Sequence, residues 1–171
     1  MPKILVTGAT GQIGAELTLT LRDRYGAENV VAAGHRRELS GDLAQTGPYC
    51  RLDVRDAAAL DAVVSEQRIT VIYHLAALLS AVAEEQPLLA WDINMNGLLN
   101  VLESARKHRC QVFFPSSIAA FGPGTPPFDT PQDTVQHPAT IYGITKVTGE
   151  LLCDYYAHRY GIDARGLRYP G

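Results

Sequence analysis

A tyrosine and a lysine four residues apart are the residues of this chain best suited to acid–base chemistry. Tyr142 and Lys146 lie in a segment with helical periodicity, so their side chains leave the same face of a helix. A cation next to a phenol favours the phenolate, which lets the tyrosine exchange a proton with a substrate oxygen. Helices carry a Tyr-x-x-x-Lys spacing by chance, so the pair gains its weight from other segments.

Two serines upstream of this pair could complete a proton-transfer site. Ser116 and Ser117 follow the apolar run 112–115, at the carboxyl end of a predicted strand, where open α/β sheets bind ligands. A hydroxyl there can hold a substrate oxygen while Tyr142 takes its proton. Serines at strand ends also cap helices and turns, but the downstream Tyr142 and Lys146 favour catalysis. We expect Lys146 also to bond the nicotinamide ribose; a solvated helix lysine is the alternative.

Three glycines near the start of the chain predict a dinucleotide site. Gly8, Gly11 and Gly14 follow a predicted strand and open a predicted helix. Glycine is needed where the chain turns tightly and where backbone approaches a pyrophosphate, which then lies on the helix N-terminus. A simple glycine-rich turn is the alternative, but the strand–turn–helix context favours the cofactor. With the serines and the Tyr–Lys pair, this turn predicts a nicotinamide-dependent dehydrogenase.

Other candidate cofactor contacts fall at strand ends and in a long helix. Asp53 ends the third predicted strand, where a carboxylate can accept a hydrogen bond from the adenine amino group; helix capping is its alternative role. Small residues at 75–77 end the fourth strand, as close backbone approach requires, whereas His74 is interpreted as a core residue. Asn94 and Asn96 interrupt a predicted helix, where asparagine is unfavourable, so we expect polar contacts between this helix and the nicotinamide end of the site, with Asn94 as a cofactor contact.

The end of the second predicted strand leaves the choice between NAD and NADP open. A carboxylate about 20 residues beyond the glycines normally binds the adenosine ribose hydroxyls. Here Gly34 stands at the strand end, and Arg36 and Arg37 follow it. Losing the carboxylate removes repulsion against a 2′-phosphate, with which either arginine could pair. A solvated basic turn, with NAD held by other contacts, is the alternative.

Apolar runs alternate with helical segments along the chain, which predicts βαβ units and an α/β fold of the Rossmann type with a doubly wound parallel sheet. A proline-rich segment at 123–138 is predicted to form a long loop, and loops of that length are often functional. The predicted strands are Ile4–Thr7, Val30–Ala33, Tyr49–Leu52, Val71–His74, Val112–Pro115 and Ala164–Arg168. The predicted helices are Gln12–Tyr25, Ala57–Gln67, Gln86–Lys107 and Ile141–Tyr160.

Length and composition fit one domain, assigned to residues 1–171. A hydrophobic content of 46% and a net charge of −3 predict a soluble protein with no nucleic-acid partner and no membrane-spanning segment. Three cysteines and five histidines match no disulfide or metal pattern, and we expect a reducing cytoplasm. The chain stops after a predicted buried strand, so we expect that most of a smaller C-terminal substrate region is lacking.

Taken together, these motifs make the chain similar, over essentially its whole length, to the extended short-chain dehydrogenase/reductase superfamily. Within it the chain resembles the short-chain-type L-threonine 3-dehydrogenases, which are relatives of UDP-galactose 4-epimerase. The segments that carry the resemblance are 7–14, 74–81, 94–97, 115–123 and 167–171.

The resemblance implies oxidation of L-threonine to 2-amino-3-ketobutyrate, with hydride transfer to NAD. It implies that Tyr142 is the general base, that Ser117 orients the substrate alcohol and that Lys146 adjusts the tyrosine pKa. Members usually carry Asp at the position of Gly34, so NADP stays possible here. The expected substrate contacts are Ser80, Ser116 and Thr140. The expected cofactor contacts are Gly8, Gly11, Gln12, Ile13, Gly14, Arg36, Asp53, Val54, Leu75, Ala76, Ala77, Asn94, Tyr142, Lys146 and Tyr169.

Members of this group are longer than 171 residues and commonly form dimers through their long helices, so the resemblance also implies a homodimer. Two other functions stay open. One is a nucleotide-sugar epimerase or dehydratase of the same fold. The other is a non-catalytic cofactor-sensing protein, against which the intact Ser117, Tyr142 and Lys146 speak, since a sensor need not retain a proton relay.

Overall fold

The sheet at the centre of the protein has six strands in the order β3-β2-β1-β4-β5-β6, and every neighbouring pair is parallel. The computed structural model describes residues 1–37 and 41–170. This arrangement confirms the predicted Rossmann-type fold. The strands are β1 (Ile4–Thr7), β2 (Val30–Gly34), β3 (Tyr49–Arg51), β4 (Val71–His74), β5 (Gln111–Ser117) and β6 (Ala164–Tyr169).

Seven α-helices in the described part of the chain connect or flank these strands. They are α1 (Gln12–Tyr25), α2 (Asp42–Gln45), α3 (Ala57–Glu66), α4 (Ser80–Glu85), α5 (Pro87–Trp91), α6 (Gly97–His108) and α7 (Ile141–Tyr160). A π-helical turn, Asp92–Asn96, joins α5 to α6. Short 3₁₀ turns span Ala27–Asn29 and Ile118–Ala120.

Two hydrophobic cores lie on opposite faces of the sheet because side chains alternate along each strand. In β1, Leu5 belongs to the larger core, which also contains residues of α3, α6 and α7. Its neighbours Ile4 and Val6 belong to the smaller core, with Leu21 of α1. The strand order reverses between β1 and β4. Ligands of doubly wound sheets bind at such a reversal, at the carboxyl ends of the strands.

The long helix predicted from Gln86 to Lys107 is the main departure from the sequence expectation. The structure divides it into α5, the π turn and α6, and places a separate helix, α4, before it. π turns inside helices frequently occur at functional sites. The predicted boundaries of α1 and α7 are confirmed, whereas β5 continues two residues further than predicted, through Ser117.

Within residues 1–37 and 41–170, two general features are absent. No helix in these ranges is long and apolar enough to cross a membrane. The same ranges contain no group of three or more His, Cys, Asp or Glu side chains that could hold a metal ion.

Candidate active site

The glycine turn between β1 and α1 is packed directly against the segment that follows β4. Gly8 has a φ of +69°, and a Cβ there would lie 2.7 Å from the Leu75 carbonyl carbon and the Ala76 nitrogen. A Cβ on Gly14 would collide with the Gly8 carbonyl oxygen. Backbone therefore occupies the space that side chains would need, as a close approach to pyrophosphate requires.

The N-terminus of α1 continues this turn. Gly11 precedes the helix, has extended backbone, and has no side chain to cap the first amides. Its own amide donates to the Gly8 carbonyl at 3.0 Å. Gln12 and Ile13 form the first turn of the helix and are exposed. A helix start of this kind offers backbone N–H groups to an anion.

Asn94 fixes the segment after β4, which contains the predicted cofactor contacts Leu75, Ala76 and Ala77. Its side-chain oxygen accepts the Leu78 amide at 2.7 Å, and its side-chain nitrogen donates to the Leu78 carbonyl at 3.1 Å. The same nitrogen lies 3.3 Å from the Thr145 hydroxyl of α7. Asn94 lies in the π turn, so this turn connects the segment after β4 to α7.

Lys146 is almost completely buried, with 5% of its surface exposed. Its ammonium donates to the Pro115 carbonyl at 2.7 Å and lies 5.2 Å from the centre of the Tyr142 ring and 4.9 Å from that of Phe114. Burial lowers the pKa of Lys146 from 10.5 to about 8, because removing a charge from water disfavours the protonated form. The burial of Lys146 excludes the alternative of a solvated helix lysine.

Two glycines allow α7 to approach β5 closely enough for this contact. A Cβ on Gly149 would collide with the Phe114 ring, and a Cβ on Gly143 would collide with the Ala119 carbonyl. Because both positions lack side chains, the helix face that carries Tyr142 and Lys146 lies directly over the carboxyl end of β5.

Tyr142 and Ser117 face each other across this junction. Burial raises the pKa of the Tyr142 phenol, and hydrogen bonding by Ser117 works in the opposite direction. Within the described ranges, no hydrogen bond of 3.5 Å or less joins the two hydroxyls, and the Ser117 oxygen accepts the Ala119 amide at 3.1 Å. The contact is thus a loose one, as is common in active sites without substrate.

The three predicted substrate-binding residues occupy different environments. Ser116 is 4% exposed, and its hydroxyl donates to the carboxylate of Glu150 on α7, which favours a structural role. Thr140 caps α7 by accepting the Gly143 amide at 3.0 Å. Ser80 is exposed at the first position of α4.

A hydrogen bond between Glu84 and the start of α7 holds α4, which carries Ser80, next to α7, which carries Tyr142. The Glu84 carboxylate accepts the amide of Ile141 at 2.7 Å, and Ile141 is the first residue of α7. A carboxylate at a helix N-terminus is favoured by the unpaired amides and the helix dipole. This contact could not be predicted from the sequence pattern, because α4 itself was not predicted.

The predicted adenosine contacts follow β2 and β3, the two strands on the opposite side of β1 from β4. Asp53 binds the Arg55 guanidinium at 2.6 Å, and hydrogen bonds from Arg55 lower the Asp53 pKa to about 2 despite its desolvation. His35 lies 3.5 Å from the same carboxylate. Val54 is buried, whereas Arg36 is exposed. Asp53 is therefore an ionised acceptor, already paired within the protein.

Two further residues lie at the carboxyl edge of the sheet. Tyr169 of β6 pairs in register with Ser117 of β5, which places it next to the proposed catalytic serine. His74 at the end of β4 is 2% exposed and contacts the Thr7 hydroxyl at 3.0 Å. Burial and the nearby Lys146 charge lower the His74 pKa to about 3, so His74 is neutral, consistent with its interpretation as a core residue.

Sequence similarity assigns the chain to a family, because residues 4–171 match the NAD dependent epimerase/dehydratase family. The chain belongs to that family. An uncharacterized epimerase/dehydratase of Staphylococcus saprophyticus is 51% identical over 171 residues, which cover 100% of this chain and 53% of the relative. The chain therefore spans about half the length of this relative.

The structures of two solved proteins superpose closely on the chain. L-threonine dehydrogenase from Clostridium difficile gives a TM-score of 0.97 at 53% identity, covering 100% of this chain and 54% of that protein. UDP-glucose 4-epimerase from Brucella ovis, solved in complex with NAD, gives a TM-score of 0.90 at 26% identity, covering 100% of this chain and 52% of that protein. These neighbours support a nicotinamide-dependent enzyme.

Proposed function

We propose that the full-length protein is an L-threonine 3-dehydrogenase that oxidises L-threonine to 2-amino-3-ketobutyrate. The observation that carries the proposal is the junction of β5 and α7, where Ser117, Tyr142 and the buried Lys146 meet at the carboxyl edge of the sheet. The similarity to the C. difficile L-threonine dehydrogenase supports the choice of substrate.

The residues around the glycine turn fit a dinucleotide. Gly8 and Gly14 leave no space for side chains, and the α1 N-terminus has no side-chain cap. We therefore assign the pyrophosphate to the turn from Gly8 to Gly14. The adenosine end is assigned to Asp53, Val54 and Arg36. The nicotinamide end is assigned to the 75–77 segment with Asn94, Tyr142, Lys146 and Tyr169.

The proposed chemistry begins at the Tyr142 phenol. The buried Lys146 ammonium, 5.2 Å from the centre of the Tyr142 ring, favours the phenolate, which takes the proton of the substrate β-hydroxyl. The Ser117 hydroxyl holds that oxygen and keeps the alcohol oriented. A nicotinamide held at this site would supply the acceptor for the hydride that leaves the substrate β-carbon. Positioned proton transfer of this kind contributes typically about 10²–10⁴-fold to rate.

The substrate amino acid is assigned to the region between α4 and α7. Ser80 is exposed at the start of α4, and Thr140 caps α7 two residues before Tyr142. The contact between Glu84 and the first amide of α7 fixes α4 against this region. The Ser116 hydroxyl donates to Glu150, so Ser116 is proposed to serve the substrate indirectly, by positioning the adjacent Ser117.

NAD is the proposed cofactor, and NADP is the alternative that the second strand leaves open. A Cβ on Gly34 would lie 2.8 Å from the Thr10 methyl group and 3.3 Å from the Tyr49 hydroxyl, so a side chain at this position requires Thr10 to rotate. No carboxylate at Gly34 repels a 2′-phosphate, and the nearby Asp53 carboxylate is already paired with Arg55.

We further propose a cytoplasmic homodimer. The outer face of α7 supports the assembly, because Leu151 and Tyr155 are 62% and 52% exposed on this helix and exposed apolar patches often mark protein interfaces. An epimerase acting on a nucleotide sugar is the second candidate function. The family match and the fold of the B. ovis epimerase favour it.

Formation of reduced nicotinamide by the full-length gene product tests the proposal. L-Threonine is supplied with NAD and, separately, with NADP. UDP-glucose is supplied in a parallel assay that follows formation of UDP-galactose, because epimerisation returns the cofactor to its oxidised form. We expect the wild-type protein to oxidise threonine and to leave UDP-glucose unchanged. Tyr142→Phe should lose turnover and retain cofactor binding. A folded wild-type protein that binds cofactor, leaves threonine unchanged and epimerises UDP-glucose would contradict the proposal.

A further inference from the structure

A partly buried ion pair next to the proposed catalytic site joins four separate parts of the chain. Arg168 of β6 donates from Nε and Nη2 to the two carboxylate oxygens of Glu150, at 3.0 Å and 2.8 Å, and both side chains are 20% exposed. Such a two-point contact fixes the orientation of both groups as well as their separation.

Glu150 belongs to the catalytic face of α7. It follows Lys146 by four residues and Tyr142 by eight, so the three side chains leave the same side of the helix. The Glu150 carboxylate also accepts the Ser116 hydroxyl, and Ser116 directly precedes Ser117. The carboxylate thus connects the helix that carries the proposed base to the strand that carries the proposed serine.

The same ion pair contacts the proline-rich loop at two residues, Gln132 and Gln136. Arg168 donates from Nη1 to the Gln132 carbonyl at 3.1 Å, and Gln136 donates to Glu150 at 3.2 Å. The Arg168 guanidinium also lies 5.0 Å from the centre of the Phe121 ring, just before the loop. The proline-rich loop, strands β5 and β6 and helix α7 therefore all contact the Glu150–Arg168 pair.

We propose that the Glu150–Arg168 pair is a positioning device that sets the Ser117-bearing end of β5 relative to Tyr142 and holds the 123–138 loop beside the site. Neither residue touches the reacting atoms. The pair acts through Ser116, whose register partner across the sheet is Arg168 itself. This inference rests on the proposed catalytic roles of Ser117 and Tyr142.

The test replaces Arg168 by lysine in the full-length gene product, which keeps the charge but removes the two-point contact. The matched control is Arg165→Lys, because Arg165 forms an exposed pair with Asp163 on the same strand. Glu150→Gln is the second variant and keeps the shape of the side chain. The readouts are kcat and KM for threonine, cofactor affinity by fluorescence titration, and the titration midpoint of Tyr142 by NMR of ring-labelled tyrosine.

We expect Arg168→Lys and Glu150→Gln to lower kcat by about 10–100-fold, since misplacement of catalytic groups by about 1 Å has this effect. KM and cofactor affinity should change little. In Arg168→Lys, which keeps both charges of the pair, the Tyr142 midpoint should rise toward that of Ser117→Ala, because hydrogen bonding by Ser117 lowers the Tyr142 pKa. Arg165→Lys should match the wild type in every readout.

An unchanged Tyr142 midpoint in Arg168→Lys would overturn the inference, even where this variant melts at a lower temperature, because the pair would then be merely structural. The NMR titration needs no substrate. If the wild-type protein does not oxidise threonine, the proposed function fails, and the Tyr142 midpoint still decides whether the pair positions Ser117.

Discussion

Replacing Lys146 by methionine should make the protein more stable at neutral pH while removing its activity. Burial lowers the Lys146 pKa from 10.5 to about 8, and each unit corresponds to about 1.4 kcal/mol, so the charged side chain costs roughly 3 kcal/mol in the folded state. Methionine leaves the Pro115 carbonyl without its donor, which costs about 1–2 kcal/mol. The net gain is about 1–2 kcal/mol.

The stability gained by Lys146→Met should decrease as the pH rises. Between pH 8 and 10.5 the unfolded chain binds a proton at Lys146 that the folded chain does not bind, so the stability of the wild type rises with pH across this window. The burial cost is fully present below about pH 8 and is lost by about pH 10.5. The variant should therefore be more stable at pH 7 and less stable than the wild type above this window.

Urea denaturation of both proteins at a series of pH values measures this difference without cofactor or substrate. Lys107→Met is the control, because 62% of the Lys107 side chain is exposed and its ammonium binds Asp61 at the surface; this change should give no stabilisation. A Lys146→Met variant that is less stable than the wild type at pH 7, or a difference that does not vary with pH, would refute the reasoning.

Three further variants test other parts of the site. Tyr142→Phe should lower turnover by about 10²–10⁴-fold with cofactor affinity retained, measured by steady-state kinetics and fluorescence titration; a matching loss of affinity would contradict this. Gly14→Ala should weaken cofactor binding by about 10-fold or more, because its Cβ would collide with the Gly8 carbonyl, whereas Gly124→Ala, which meets nothing within 4 Å, should not. Gly34→Asp should shift the ratio of the NAD and NADP dissociation constants toward NAD by about 10-fold or more, and an unchanged ratio would remove Gly34 from cofactor choice.

The fold and much of the site follow from local sequence signals. The boundaries of β1 and α1 were predicted because a strand, a glycine turn and a helical period follow one another without interruption. The spacing of Tyr142 and Lys146 predicted a shared helix face, and the structure places both there. The same spacing extends to Glu150, whose role could have been suspected from its four-residue step after Lys146.

Other features depend on contacts between distant residues, which a single sequence does not reveal. The π turn lies where Asn94 binds the backbone of Leu78, 16 residues away. The helical period of the flanking sequence does not reveal this contact and therefore predicts one continuous helix. Ser116 and Ser117 are adjacent, and only the position of Glu150 distinguishes the buried hydroxyl from the one that faces Tyr142. The burial of Lys146 likewise depends on how closely α7 approaches β5.

The most direct test of the proposed reaction follows the hydrogen atom that leaves the substrate. The full-length gene product is incubated with NAD and L-threonine that carries deuterium at the β-carbon, and the reduced nicotinamide is analysed by mass spectrometry. We predict that the deuterium appears in the nicotinamide ring, with 2-amino-3-ketobutyrate as the other product and no transfer in Tyr142→Phe. Reduced nicotinamide without the label, or threonine that keeps its deuterium in the presence of folded protein and bound cofactor, would contradict the proposal.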